Sequence, residues 1–165
     1  MNTKYEGIKA SRGIAIGSIY LFNRQEVTID ESEITDSKVG EEKVHVKDSI
    51  DDYINELNDK KGASEAQTHI VDAHKELLQD PYFSDTINSK IENEHKNSEL
   101  ALNETINEMV EIMSQLDDEY LKERASDYKD IGYQLMYKLK GIKPKDLSSI
   151  DSESIIISKE LTPSD

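Results

Sequence analysis

LDDEYLKERASDYKDIG, residues 116–132, decides the fold, because it is heavily charged and still carries a regular apolar stripe. Leu121, Ala125, Tyr128, Ile131, Leu135 and Leu139 recur at steps of three and four, which places them on one side of a 3.6-residue helix. Between them, Asp117, Asp118, Glu119, Lys122, Glu123, Arg124, Asp127, Lys129 and Asp130 read as the solvent side. Ion pairs such as Asp118–Lys122 would lace that side, each worth about 0.2–0.5 kcal/mol. This is more charge than solubility asks of one amphipathic helix.

Outward from that helix, helical periodicity runs from about residue 35 to 140, a span interrupted by a single proline, Pro81. A first helix is read from Val39, Val46, Ile50, Tyr53 and Leu57, and a second from Ala66, Ile70, Ala73 and Leu77, with Ser64 as its N-cap. Asp80-Pro81 supplies a fresh cap and a proline at the first helical position, so the second helix should bend or split there and resume with Phe83, Ile87 and Ile91 inward. Another long helix follows Asn97 or Ser98, with Leu102, Ile106, Met109, Met113 and Leu116 at the seam spacing of an antiparallel bundle. The charged helix ends at Gly141, a C′ glycine with Pro144 beyond it. On the second helix a further half-apolar row, Gln67, Val71, His74 and Leu78, lies about 70° from the first. Such a row serves either another neighbour in the bundle or a partner.

Strand-like sequence flanks this helical middle. Ile14-Ala15-Ile16 and residues 18–22 are β-prone runs among Gly7, Gly13 and Gly17, and residues 154–158 read as a strand buried on both faces. The economical topology is mainly α, a four-helix-bundle-like domain at 30–143 inserted into an α/β domain. Residues 1–29 would give that α/β domain its first strands and 144–165 its return strand. An isoleucine-rich strand without sheet partners is an unexpected end for a self-sufficient domain, so the α/β domain reads as truncated.

At 165 residues, 35% hydrophobic and 33% charged, the chain can build one thin core, which suits a bundle better than a fully buried sheet. Without cysteine it forms no disulfide and no thiolate metal site. The amino terminus lacks the apolar core of a signal peptide and no stretch approaches about 18 apolar residues, so a cytoplasmic protein is expected. A formal net charge of −15 disfavours nucleic acid and anionic membrane as partners; beyond that exclusion, it either serves solubility alone or speeds encounter with a basic protein surface.

Four histidines are candidates for chemistry: His45, His69, His74 and His95. None follows a glycine-rich phosphate cradle. His45 and His95 complete Glu-x-x-His words with Glu42 and Glu92, the pattern of a ferritin-like dimetal bundle. At about 100° per residue, Glu92 lies about 140° from the apolar stripe of its helix and His95 about 80°. Such side chains point outward, and no metal site is expected.

The words of residues 116–132 resemble the last long helix of the helical domain of enzyme I, the phosphoenolpyruvate–protein phosphotransferase of the bacterial sugar phosphotransferase system. Three further segments agree in order and spacing. Residues 10–17, ASRGIAIG, look like that family's opening A-S-x-G-I-A-x-G; Asp72-Ala73-His74 with Leu77-Leu78-Gln79-Asp80-Pro81 look like its x-A/G-H-x-x-L-L-x-D-P/E; and residues 160–165, ELTPSD, look like its D-L-T-P-S-D/E. The resemblance runs the whole length of the chain.

It implies a helical domain that docks the phosphocarrier protein HPr, inserted into a phosphohistidine α/β domain. Matched residue by residue, the docking surface would comprise Glu65, Gln67, His74, Leu77, Asp80, Phe83, Met113, Leu121 and Arg124. In the family, phosphate passes from phosphoenolpyruvate to a histidine in a G-G-x-T-S-H motif beyond the L-T-P-S-D words, and then to HPr. This sequence has no such motif, so no catalytic residue is expected in it, and alone it should bind without catalysing. The magnesium site and the homodimer contact implied for the complete enzyme belong to its carboxy-terminal domain. Departures from the family pattern bear on the partner: Gln67 stands where lysine is frequent, Ala66 where an acid is, Lys129 where arginine is, and Glu76 where an apolar contact is common. Glu76 therefore asks either for lower affinity or for a compensating cation on the partner. The alternative from another class is an acidic helical bundle that serves as a regulatory or structural module and binds no phosphocarrier.

Overall fold

The computed structural model describes Ile8 and residues 11–60, 64–145, 147–150 and 153–165; Gly7 and Ala10 of the opening words lie outside them. Five helices dominate the described residues: α1 (Val39–Asp59), α2 (Glu65–Leu78), α3 (Pro81–Glu94), α4 (Ser98–Ser114) and α5 (Glu119–Leu139). Two strands, β1 (Ser18–Phe22) and β2 (Ser154–Ser158), flank them.

Local sequence sets the helix ends. Side chains of Ser64, Asp80, Asn97 and Asp118 accept the N–H groups of Gln67, Tyr82, Leu100 and Leu121 at 3.1, 2.9, 2.9 and 3.2 Å, capping α2 to α5. Pro81, which has no N–H to lose, starts α3 at the split that Asp80-Pro81 foretells. At the far end of α5, Gly141 (φ 63°) turns the chain left-handed, with bonds from Gly141 N to Lys138 O and from Ile142 N to Tyr137 O at 3.0 and 2.8 Å. Asp118 is used up as a cap, so Lys122 leans instead on Glu119 and Asp117.

Most of the expected stripes meet in one core. Val46, Ile50, Tyr53 and Leu57 of α1, Phe83, Ile87 and Ile91 of α3, Leu102, Ile106 and Met109 of α4, and Ala125, Tyr128, Ile131, Leu135 and Leu139 of α5 are all buried. Helix α2 departs from expectation. Its buried residues are Val71, His74, Leu77 and Leu78, whereas Ala66 is exposed and Ile70 and Ala73 are half-buried. The helix packs on α1, α3 and α5 together, so the row containing His74 is turned inward. Leu116 lies past the end of α4 and is exposed. The Glu-x-x-His words fasten helix ends: Glu42 accepts the Ser98 N–H at 2.8 Å, Glu92 pairs with Lys43, and His95, in the left-handed region at the end of α3, reaches Asp36 at 2.6 Å. No group of three or more His, Cys, Asp and Glu among the described residues could hold a metal.

By contact the chain forms two compact units, Met1–Asn23 with Asp146–Glu160, and Arg24–Lys145 with Leu161–Asp165. In the first, β1 and β2 pair in parallel, Ser18 opposite Ser154 and Phe22 opposite Ser158. Parallel neighbours need a long crossover, and here the crossover contains all five helices. Ile14-Ala15-Ile16 forms no strand, since no neighbour among the described residues supplies a ladder for it, and both isoleucines are exposed. Ile156 and Ile157 of β2 are exposed as well, against the expectation of burial on both faces. The helical unit begins at Arg24, earlier than the expected residue 30, because Val27, Ile29 and Ile34 pack on its core and Tyr137 donates to Gln25 O at 2.8 Å. It also takes residues 161–165 out of the expected return segment.

Two positions test this packing. A Cβ on Gly132 of α5 would lie 3.0 Å from Ile106 Cγ2 of α4. Gly132→Val is therefore expected to destabilise the unit by about 1–3 kcal/mol through overpacking, read as a lowered melting temperature. Burial raises the pKa of Tyr53 well above the ordinary tyrosine value. The folded state thus holds the phenolic proton more tightly than the unfolded chain, so the stability this proton confers is full below about pH 10 and is lost as pH rises toward the folded value. Tyr53→Phe is expected to flatten the decline of urea midpoints above pH 10, with a residual slope from Tyr128 and Tyr137, whose pKa values burial also raises.

Candidate functional site

The nine residues matched to a docking surface separate by depth. Glu65 and Asp80 are exposed, and Gln67, Met113, Leu121 and Arg124 are half-buried. His74 and Phe83 have no exposed surface and Leu77 retains 8%. All three are buried: His74 because its row of α2 faces α1 and α5, Leu77 and Phe83 because they lie in the apolar stripes of α2 and α3. Phe83 stacks obliquely on Tyr128, ring centroids 5.9 Å apart.

What α2 and α5 present outward is different. Arg124 lies across the two helices, donating to Glu76 at 2.9 Å and to the Tyr120 hydroxyl at 2.9 Å, with its guanidinium 5.3 Å from the Tyr120 ring. Glu76, which on sequence grounds asked for a cation from the partner, has one from its own chain. The pair also ties the start of α5 to the end of α2. Lys90 of α3 reaches Glu108 of α4 at 2.7 Å. Near the end of the bundle where α3 starts, α4 stops and α5 starts, the apolar groups Tyr82, Ile112, Leu116 and Tyr120 are exposed. Acids crowd the same end: Asp80, Glu111, Asp117, Glu119 and Glu123 are all exposed.

Beneath α2 is a polar cluster that sequence reasoning did not find. Asp130, counted among the solvent-side charges, has no exposed surface. Its Oδ1 accepts from Thr162 Oγ1 at 2.8 Å, and its Oδ2 from Ser164 N and Oγ at 2.9 and 2.8 Å. Because the Ser164 hydroxyl donates to Asp130, its oxygen remains open to Tyr53, whose hydroxyl is 3.2 Å from Ser164 Oγ and 3.2 Å from His74 Nδ1. The other ring nitrogen, Nε2, faces Asp127 at 3.7 Å and Asp130 at 3.8 Å. It has no hydrogen-bond partner among the described residues. The missed signal lay in Asp130 and Tyr137, seven residues apart on the side of α5 opposite the stripe: both are buried there, under residues 161–165 and Gln25.

A family model described as "PEP-utilising enzyme, N-terminal" matches residues 6–124. Among relatives, the phosphoenolpyruvate-protein phosphotransferase of Mycoplasma capricolum subsp. capricolum is 34% identical over 169 residues, covering 99% of this chain and 29% of the relative. That of Priestia megaterium is 32% identical over 170 residues, covering 100% and 29%, and that of Staphylococcus aureus 34% identical over 171, covering 100% and 30%. The chain thus spans less than a third of the length of these curated relatives. A solution NMR structure of Enzyme I (nEIt) matches with a TM-score of 0.76 at 34% identity, over 94% of this chain and 64% of that one. The N-terminal domain of Enzyme 1 - Nitrogen shares the fold, with a TM-score of 0.65 at 20% identity over 92% of this chain and 63% of the other. With a mainly helical fold like that of the Enzyme I structure and most of its length matched by the family model, the chain belongs to the N-terminal family of PEP-utilising enzymes.

Proposed function

We propose that this chain is the part of a phosphoenolpyruvate–protein phosphotransferase that docks the phosphocarrier HPr. The observation that carries the reading is the end of the bundle where α2 and α4 stop and α5 starts. Tyr82, Ile112, Leu116 and Tyr120 are exposed there among carboxylates. An apolar centre within a rim of one charge fits a partner of complementary charge, and the basic surroundings of a carrier's phosphorylated histidine have that character. The contact set is Glu65, Gln67, Asp80, Met113, Leu121 and Arg124, with Tyr82 and Tyr120 beside them. His74, Leu77 and Phe83 support the surface from beneath. An interface of standard size, about 1,200–2,000 Å², would hold the carrier.

In the complete enzyme, on this reading, phosphate moves from phosphoenolpyruvate to an enzyme histidine outside this chain and from it to HPr. Transfer of that kind depends on aligning donor and acceptor, and the docking domain contributes recognition and position with no covalent step of its own. Magnesium, on the same reading, belongs to the remainder of that enzyme. The same reading has the complete enzyme cytoplasmic and homodimeric through its carboxy-terminal domain. No helix among the described residues is long and apolar enough to cross a membrane.

The test is a titration of isotope-labelled chain with unphosphorylated HPr from the same organism, followed by NMR. Shift changes are expected at the end of α2, the start of α3 and the start of α5, with affinity falling as salt rises. Leu121→Arg, at a half-buried position, is expected to weaken binding tenfold or more in a folded chain; unchanged affinity removes Leu121 from the contact. If a folded chain shows no shift change at millimolar carrier, the docking reading fails and the acidic regulatory module stands in its place.

A further inference from the structure

Residues 161–165 lie on the helical unit in an unusual way. Their two apolar members, Leu161 and Pro163, are exposed, so the segment brings no buried hydrophobic group to the contact. What holds it is polar. Asp130 takes the Thr162 hydroxyl and the Ser164 hydroxyl and N–H. From the other side Arg24, stacked 4.2 Å over the Tyr133 ring, donates to Thr162 Oγ1 at 2.8 Å and to the Asp165 carboxylate. Asp165 also accepts the Thr162 N–H at 2.7 Å, which shapes the segment into a turn.

The two halves of this contact differ in kind. Asp130 and His74 are fully buried and Tyr53 is 1% exposed, all on helices locked by the apolar core. The segment is partly exposed throughout. Loss of a helix uncovers the core; loss of the segment breaks a few hydrogen bonds that water replaces on the segment's side. The release of 161–165 therefore requires much less free energy than the unfolding of α5. Ser164 is also the only described hydroxyl bonded to Tyr53, and Tyr53 in turn bonds the ring of His74 on α2. Departure of the segment opens that buried line to water.

We propose that residues 161–165 are a polar latch that opens and closes on Asp130 while the helices stay folded, and that each opening admits solvent to Tyr53 and His74. An open latch changes the support beneath α2. The device does not depend on the identity of any partner.

Native-state hydrogen exchange of the whole chain, read by NMR, tests it. The amides of Thr162 and Ser164 are expected to exchange at least tenfold faster than those of Ile131 and Leu135, and at rates insensitive to low urea, because the opening uncovers little surface. Ser164→Ala removes the hydroxyl bonds to Asp130 and Tyr53 from the segment's side alone. It is expected to speed exchange at 162 and 164 a further tenfold with helicity unchanged. Carbethoxylation of His74 by diethylpyrocarbonate, located by mass spectrometry with exposed His69 as internal reference, should accelerate in step. Arg24→Gln loosens the segment from the opposite side, and the same direction of change is required of it. If the amides at 162 and 164 share the urea dependence of Ile131, or if both variants leave exchange and His74 modification unchanged, the segment is a fixed part of the fold and the proposal is overturned.

Discussion

A carboxylate withdrawn completely from water is tolerated only where its oxygens are hydrogen-bonded, and Asp130 obtains those bonds from a segment that follows it by some thirty residues. Much of the arrangement follows from that demand. Thr162 and Ser164 must come back to α5, which draws residues 161–165 away from the strand before them and into the helical unit. Ser164 then meets Tyr53 of α1, and Tyr53 fixes one nitrogen of His74. His74, its ring held between α1 and α5, lies with Val71, Leu77 and Leu78 on the face of α2 that turns inward. The exposed end of α2, with Glu76 reaching Arg124, is what remains for the outside.

Elements whose cause is local were legible in the sequence. Ser64, Asp80 and Asn97 are caps wherever the helices pack, because each needs only the N–H groups two or three residues ahead, whereas Asp118, read as an ion-pair partner of Lys122, is a cap that was missed. Gly141 ends α5 for an equally local reason, its left-handed backbone. The stripes of α1, α3 and α5 were legible because each is broad and strongly apolar. Helix α2 was not, since its two rows have similar polarity and only the neighbours decide between them. Asp130 was hidden for a related reason. Periodicity identifies the most apolar side of a helix and is silent about a second side covered by irregular chain, and Tyr137 and Asp130 lie on such a side. The family motif pointed to His74, Leu77 and Phe83, but shared words carry no statement of depth.

The charge of the chain acquires meaning only once its pairs are known. Lys43, Lys47, Lys90, Lys96, Lys138 and Lys140 each lie within salt-bridge distance of an acid of the same chain, as does Arg124. Singly these exposed pairs contribute little to stability. Together they commit these seven cations to internal partners, while acids outnumber bases by 35 to 20 in the sequence. The field that reaches a partner is therefore negative, and Arg124, drawn down onto Glu76 and Tyr120, does not offset it as a free cation would. A side chain that reads in sequence as a positive contact acts instead as a brace between α2 and α5. The carboxylate beside it, which read as a fault in the surface, is part of that brace. On the proposed docking reading, the surface that a basic partner would meet is braced by this ion pair, while its negative sign comes from the excess of acids over the whole chain.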